Sequence, residues 1–143
     1  MQLSTILSAK GEFVATISPD HSIAQLAARL YEHRVGALVV SRDGDTIEGI
    51  VSERDVVRAL ADGPEMLSEP VSSIMTAQVI TAPPSTHVDE LMHLMTERRV
   101  RHIPVIDDDG RMLGIVSIGD VVKMHVDELE RERSALMDYI TKG

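Results

Sequence analysis

Residues 49–60 read GIVSERDVVRAL and residues 114–125 read GIVSIGDVVKMH. Each carries a short apolar run, a serine, two variable residues, an aspartate and a pair of valines. The two copies start 65 residues apart (49 and 114), and shifting the whole sequence by that amount brings further identities into register without a gap. Val14 falls on Val79, Thr16 on Thr81, Pro19 on Pro84 and Leu26 on Leu91. Glu32 falls on Glu97, Arg34 on Arg99, Val35 on Val100 and Val40 on Val105. A register kept over about fifty positions is an internal duplication, and two such units stack to bury what neither buries alone.

Each unit reads as β-α-β-β-α. A short strand (VATIS at 14–18, VITAP at 79–83) runs into proline, which cannot continue a central ladder. A helix follows with an apolar stripe at helical spacing: Ile23, Leu26, Ala27 and Leu30, repeated as Val88, Leu91, Met92 and Met95. Ser22 with Gln25, and Thr86 with Asp89, are expected to cap these helices. The strands GALVV and HIPVI come next, each followed by an Asp-Gly turn, RDGD or DDDG. GIV opens a third strand, and Ser-x-x-Asp-Val-Val enters a second helix. The expected divisions are 1–62 for the first unit and 63–76 for a proline-bearing linker and lead-in. The second unit is expected at 77–126 and a helical extension at 127–143.

The chain has 143 residues with 43% hydrophobic and 26% charged, ordinary values for a soluble globular protein. Only three residues are aromatic (two Tyr, one Phe), so the core is aliphatic and methionine-rich. Few rings and a net charge of −9 argue against nucleic acid, whose binding needs stacking platforms and cations for phosphates. There is no cysteine, hence no disulfide or thiolate chemistry. No leader-like or membrane-spanning stretch stands out, and a cytoplasmic protein with no membrane partner is expected.

The tandem unit with G-I-V-S-x-x-D at its strand-to-helix junction resembles the CBS domain, and HIPVID at 102–107 followed by GIVSIGDVV is similar to that family's most recognisable signature. The resemblance covers residues 3 to 126 or thereabouts. It implies an α+β fold of two CBS motifs packed about a pseudo-two-fold axis as a stand-alone pair, or Bateman module, with the C-terminal helical extension added. It further implies binding of an adenosine compound: AMP, ADP or ATP, or alternatively NAD(H) or S-adenosylmethionine. The expected role is regulation of a partner protein without catalysis, in a homodimer formed through the CBS helices near Val56, Val57, Val121 and Val122. An oligomerisation module with decayed sites is the other reading.

A carboxylate accepts from both ribose hydroxyls in a geometrically selective way, and a nearby serine adds a further bond. Asp55 with Ser52, and Asp120 with Ser117, are therefore the candidate ribose residues; the same pattern is also an ordinary helix cap, and the two roles can coexist. Carried over from the family, Ser52, Arg54 and Asp55 share a site with Val79, Ile80 and Thr81 and with Arg101, His102, Ile103 and Pro104. Ile115, Ser117 and Asp120 share the other with Val14, Ala15 and Thr16 and with Val35, Gly36 and Ala37. The halves differ in charge, because Gly36 and Ala37 stand where the second unit has Arg101 and His102. The Asp55 site is accordingly expected to hold phosphate more tightly, with His102 favoured in its charged form beside the anion. Arg98 and Arg99 are read as complements to a helix end.

Other chemistries find little support. Six histidines occur without H-E-x-x-H or H-x-x-E-H spacing, and His87 with His93 is a weak pair. There is no G-x-S-x-G elbow, G-x-G-x-x-G or Walker loop. Asp107, Asp108 and Asp109 read more simply as a solvated turn than as cation ligands, and ELERER as a solvent-facing helix.

Overall fold

A computed structural model describes residues 1–11 and 14–142. Its elements are α1 (Leu3–Lys10), β1 (Thr16–Ile17), α2 (Ile23–His33), β2 (Ala37–Val40), β3 (Gly49–Ser52) and α3 (Glu53–Leu60). Two 3-10 turns (Pro64–Ser68, Val71–Ser73) lead to α4 (Val88–Arg98), β4 (His102–Ile106), β5 (Met112–Ser117) and α5 (Ile118–Lys142). β1 lies parallel to β2, and β2 antiparallel to β3; β4 and β5 form the matching antiparallel pair. The α+β duplication is thus observed, and α5 carries the helical extension.

The two halves are built alike but not identically. Ile17 and Ala82 occupy equivalent positions, and Ile106 and Ser41 each donate an amide there: Ser41 to the Ile17 carbonyl at 2.9 Å, Ile106 to that of Ala82 at 3.0 Å. The bridge from Thr16 to Val39, however, has no counterpart: Val39 is replaced by Pro104, which has no amide to donate, so the expected strand at 79–83 shrinks to a single bridge from Ala82 to Val105. Ser22 and Gln25 form the expected capping box on α2. Thr86 does not cap α4: the N-cap is His87, without a side-chain bond. The N-terminal segment replaces that cap, since Val88 donates to the Met1 carbonyl at 2.8 Å and Leu3 to that of Thr86 at 2.9 Å.

That exchange of segments organises the whole chain. Leu3 and Ile6 of α1 are buried in the core of the second unit with Val88, Leu91, Met95 and Val116. Val71, the residue 65 positions after Ile6, is buried in the first unit with Ile17, Leu26, Leu38 and Val51. Each lead-in therefore covers a unit other than the one that follows it directly. Met92, expected in the apolar stripe of α4, is exposed instead, while Leu94 packs against the core. Arg34 and Arg99 close α2 and α4 in the left-handed conformation, φ 54° and 53°, an arrangement uncommon outside glycine and kept in both copies.

Candidate functional site

Both Ser-x-x-Asp phrases sit where a strand ends and a helix begins. The Asp55 carboxylate accepts from the Ser52 amide at 2.8 Å and its hydroxyl at 3.1 Å, and the Asp55 amide donates back at 3.4 Å. Asp120 accepts from the Ser117 amide at 2.9 Å and donates its own amide to the Ser117 hydroxyl at 3.2 Å. Capping is thus a real role of both aspartates. In each case only Oδ2 is engaged in these bonds, which leaves Oδ1 to accept from elsewhere.

The starts of β2 and β4 fix the neighbouring geometry. Ala37 lies opposite Ser52, and His102 opposite Ser117, in the antiparallel ladders. The amide of Glu53 donates to the Gly36 carbonyl at 3.0 Å, and Ile118 repeats this bond to Arg101 at 2.8 Å. Gly36 and Arg101, equivalent by sequence, are thus equivalent in structure.

A cavity of about 150 Å³ opens between the units, lined by Val14, Ala15, Val35 and Ala37 from the first and by Ile115 from the second. Leu7, Lys10, Gly11, His33, Leu38 and Gly114 complete its wall. Of the grouping expected around Asp120, Val14, Ala15, Val35, Ala37 and Ile115 line this wall, whereas Ser117 and Asp120 do not; Asp120 is tied to it through Lys10. Thr16 and Gly36 lie outside this wall; the Thr16 carbonyl accepts from Arg29 at 2.9 Å, and Gly36 lines a separate groove along α2 and α3. Around Asp55 the gathering is less direct. Ile80, Ile103 and Pro104 are turned into packing: Ile80 against the second core, the other two buried. Val79 and Thr81 are half-buried, and Arg54 and Arg101 are exposed. Neither cavity wall contains a residue of 79–81 or 101–104.

One residue of the site has no counterpart in the sequence reading. The Lys10 ammonium donates to Asp120 Oδ2 at 2.7 Å and to the Ile115 carbonyl at 2.6 Å. Its signal was hidden because the partner lies 110 residues away and the equivalent position in the other half is Met75. Burial opposes ionisation of Asp120, but the Lys10 and Ser117 bonds outweigh it and hold the carboxyl below its ordinary range.

His102 is half-buried at the start of β4. Burial comes first and Lys10 second among the effects that lower its pKa, with Arg101 adding to them; Asp120 and Glu53 act the other way without prevailing. The imidazole is therefore disposed to be neutral, and it stands near the Lys10–Asp120 pair as well as Glu53. Asp107 Oδ1 accepts from the Asp109 and Arg111 amides, both at 2.9 Å, which is the turn role. No helix among the described residues is long and apolar enough to cross a membrane.

Comparison with known proteins fits this geometry. The CBS-domain family model matches residues 12–62 and 71–127. The chain is 39% identical to the mitochondrial CBS domain-containing protein CBSX3 of Arabidopsis thaliana, over 99% of this chain and 72% of that protein. It superposes on the CBS-domain containing protein ATU1752 of Agrobacterium tumefaciens with a TM-score of 0.83 and 42% identity, covering 87% of this chain and 99% of the other. A third structure, CBS domain protein PAE2072 of Pyrobaculum aerophilum complexed with AMP, gives a TM-score of 0.72 at 28% identity over 84% of this chain and 89% of that one. With both motifs matched and both units folded alike, the chain belongs to the CBS-domain family as a tandem pair.

Proposed function

We propose that this CBS pair is a sensor that binds an adenosine nucleotide in the cleft between its units and regulates a partner protein without catalysing a reaction. The observation that carries the reading is the apolar cavity walled by both units, with the Ser117–Asp120 junction reached through its lining residues Lys10 and Ile115. Aliphatic walls suit a purine ring, and a carboxylate at a strand end suits the ribose diol. A related pair complexed with AMP supports the same ligand class. A second site at Ser52 and Asp55 follows from the pseudo-symmetry of the halves, with Arg54, residues 79–81 and residues 101–104 as its remaining members.

The sensor reading needs no nucleophile, acid or base. Its test is thermal unfolding with AMP, ATP, NADH and S-adenosylmethionine. A ligand that binds only the folded state raises the melting temperature with its concentration. An adenosine nucleotide is expected to do so without being consumed. Absence of any shift with all four ligands would leave only the oligomerisation role.

A further inference from the structure

The duplicated halves treat the third strand of each unit differently. In the first, the Thr76 amide donates to the Ile50 carbonyl at 2.9 Å, a backbone bond between the lead-in and β3. The equivalent bond would run from Gly11 to Ile115, 65 residues away from Thr76 and Ile50 in opposite directions. It is not made. α1 continues helically to Lys10, and the Gly11 amide turns back to the Leu7 carbonyl at 3.1 Å. The Ile115 carbonyl accepts from the Lys10 ammonium instead, at 2.6 Å. The helix thus delivers a cation to a place where the other half has only backbone and the neutral side chain of Met75.

That cation stands at the cavity wall and 2.7 Å from the candidate ribose acceptor. An ammonium has three donors, and two are engaged here. Its side chain is 35% exposed and that of Asp120 24%, so the pair is accessible to a ligand. The paired ribose hydroxyls call on both carboxylate oxygens: Oδ1 is open, but Oδ2 already accepts from Lys10 and from the Ser117 amide, so the diol competes with Lys10 there. A neutral nucleoside gives the displaced ammonium nothing in return; a phosphate offers a stronger partner than the one lost. We propose that Lys10 makes the Asp120 side of the cleft selective for anionic adenosine compounds, its ammonium passing from the Asp120 carboxylate to the ligand phosphate. This rests on the nucleotide reading of the site, and it reverses the expectation that phosphate is held chiefly on the Asp55 side.

Calorimetry with AMP and adenosine tests it, using the full chain carrying Asp55→Asn so that one site is read. Lys10→Met, which copies the other half, is expected to weaken AMP by about tenfold or more, in the range of a lost charge-assisted bond, and to leave adenosine as tight or tighter. Lys10→Arg is expected to restore the preference for AMP, which a merely structural strut would not require. If the ratio of AMP to adenosine affinity is the same with and without the Lys10→Met substitution, the inference fails while nucleotide binding stands. If neither compound binds the otherwise native chain, the nucleotide reading and this inference fall together.

Discussion

His102 of the second unit lies directly against Gly36 of the first: its Cε1 and Nε2 stand 3.5 and 3.6 Å from the point a β-carbon on Gly36 would occupy. The residue equivalent to Gly36 is Arg101, so the small residue on one side makes room for the ring from the other. The halves therefore meet here through unlike side chains, and the half-buried ring feels the charges of Lys10, Asp120, Glu53 and Arg101.

That environment gives the fold a pH dependence. Because burial and Lys10 lower the His102 pKa in the folded chain, the unfolded chain binds a proton there first as pH falls. The stability from neutral His102 is present above the unfolded value of about 6.5 and is lost as pH drops through the folded value. Thermal unfolding between about pH 7.5 and 5.5 should therefore show a steeper loss in the parent than in His102→Gln. Lys10→Met should fall between them. Parallel curves for all three proteins would show that the ring is not linked to folding.

Glycine at the lead-in contact is a matter of space. A β-carbon on Gly49 would lie 2.8 Å from Met75 Sδ and 2.9 Å from the Thr76 carbonyl oxygen, whose backbone is tied to Ile50. Methionine can turn aside; the bonded backbone cannot without breaking the pairing. Gly49→Ala should cost about 1–3 kcal/mol, the range for overpacking. Gly36→Ala meets nothing nearer than 3.4 Å and should change stability by less than about 0.5 kcal/mol. Urea denaturation measures both, and equal losses would count against this account of the crossing.

The aspartates need a conservative variant, because each also caps a helix. Asp→Ala at 55 or 120 removes the carboxylate and half of a capping arrangement, about 1 kcal/mol of stability by itself. Asn keeps an oxygen for the serine amide and loses the charge. Asp120→Asn should weaken AMP by roughly ten- to a hundredfold with little effect on unfolding. Unchanged affinity in both Asp55→Asn and Asp120→Asn would restrict these residues to capping.

Much of this was legible in the sequence because it is local or repeated. The strand-to-helix junction at Ser52 and Ser117, the stripe on α2 and the turn at Asp107 are set by residues within a few positions of one another. The lead-in exchange was not legible, since Leu3 and Ile6 carry no mark of which unit they cover, and Lys10 finds Asp120 only after that choice is made. The shortened strand near Ala82 depends on a residue more than twenty positions away, Pro104 of the neighbouring strand, which has no amide to offer Ile80. Val56 and Val121, expected near a dimer surface, are buried at 8% and 1% exposure; the helical period turns their neighbours Val57 and Val122 outward.

Those two outward valines carry the last prediction. Val57 is 68% exposed and Val122 55%, at equivalent positions of α3 and α5. Val57 edges a groove of about 670 Å³ whose wall includes Ala27, Leu30, Val35 and Val56. Apolar side chains lining a groove on one helix pair, with an equivalent valine on the other pair, suit a homodimer that joins the helical faces of two chains. Val57→Asp and Val122→Asp should each place charge in that contact without entering either core, and so lower the dimer fraction while leaving the folded monomer intact. Light scattering reads the mass and circular dichroism the fold. A parent chain that stays monomeric at micromolar concentration, with and without AMP, would refute the dimer, and a dimer indifferent to both substitutions would move the interface elsewhere.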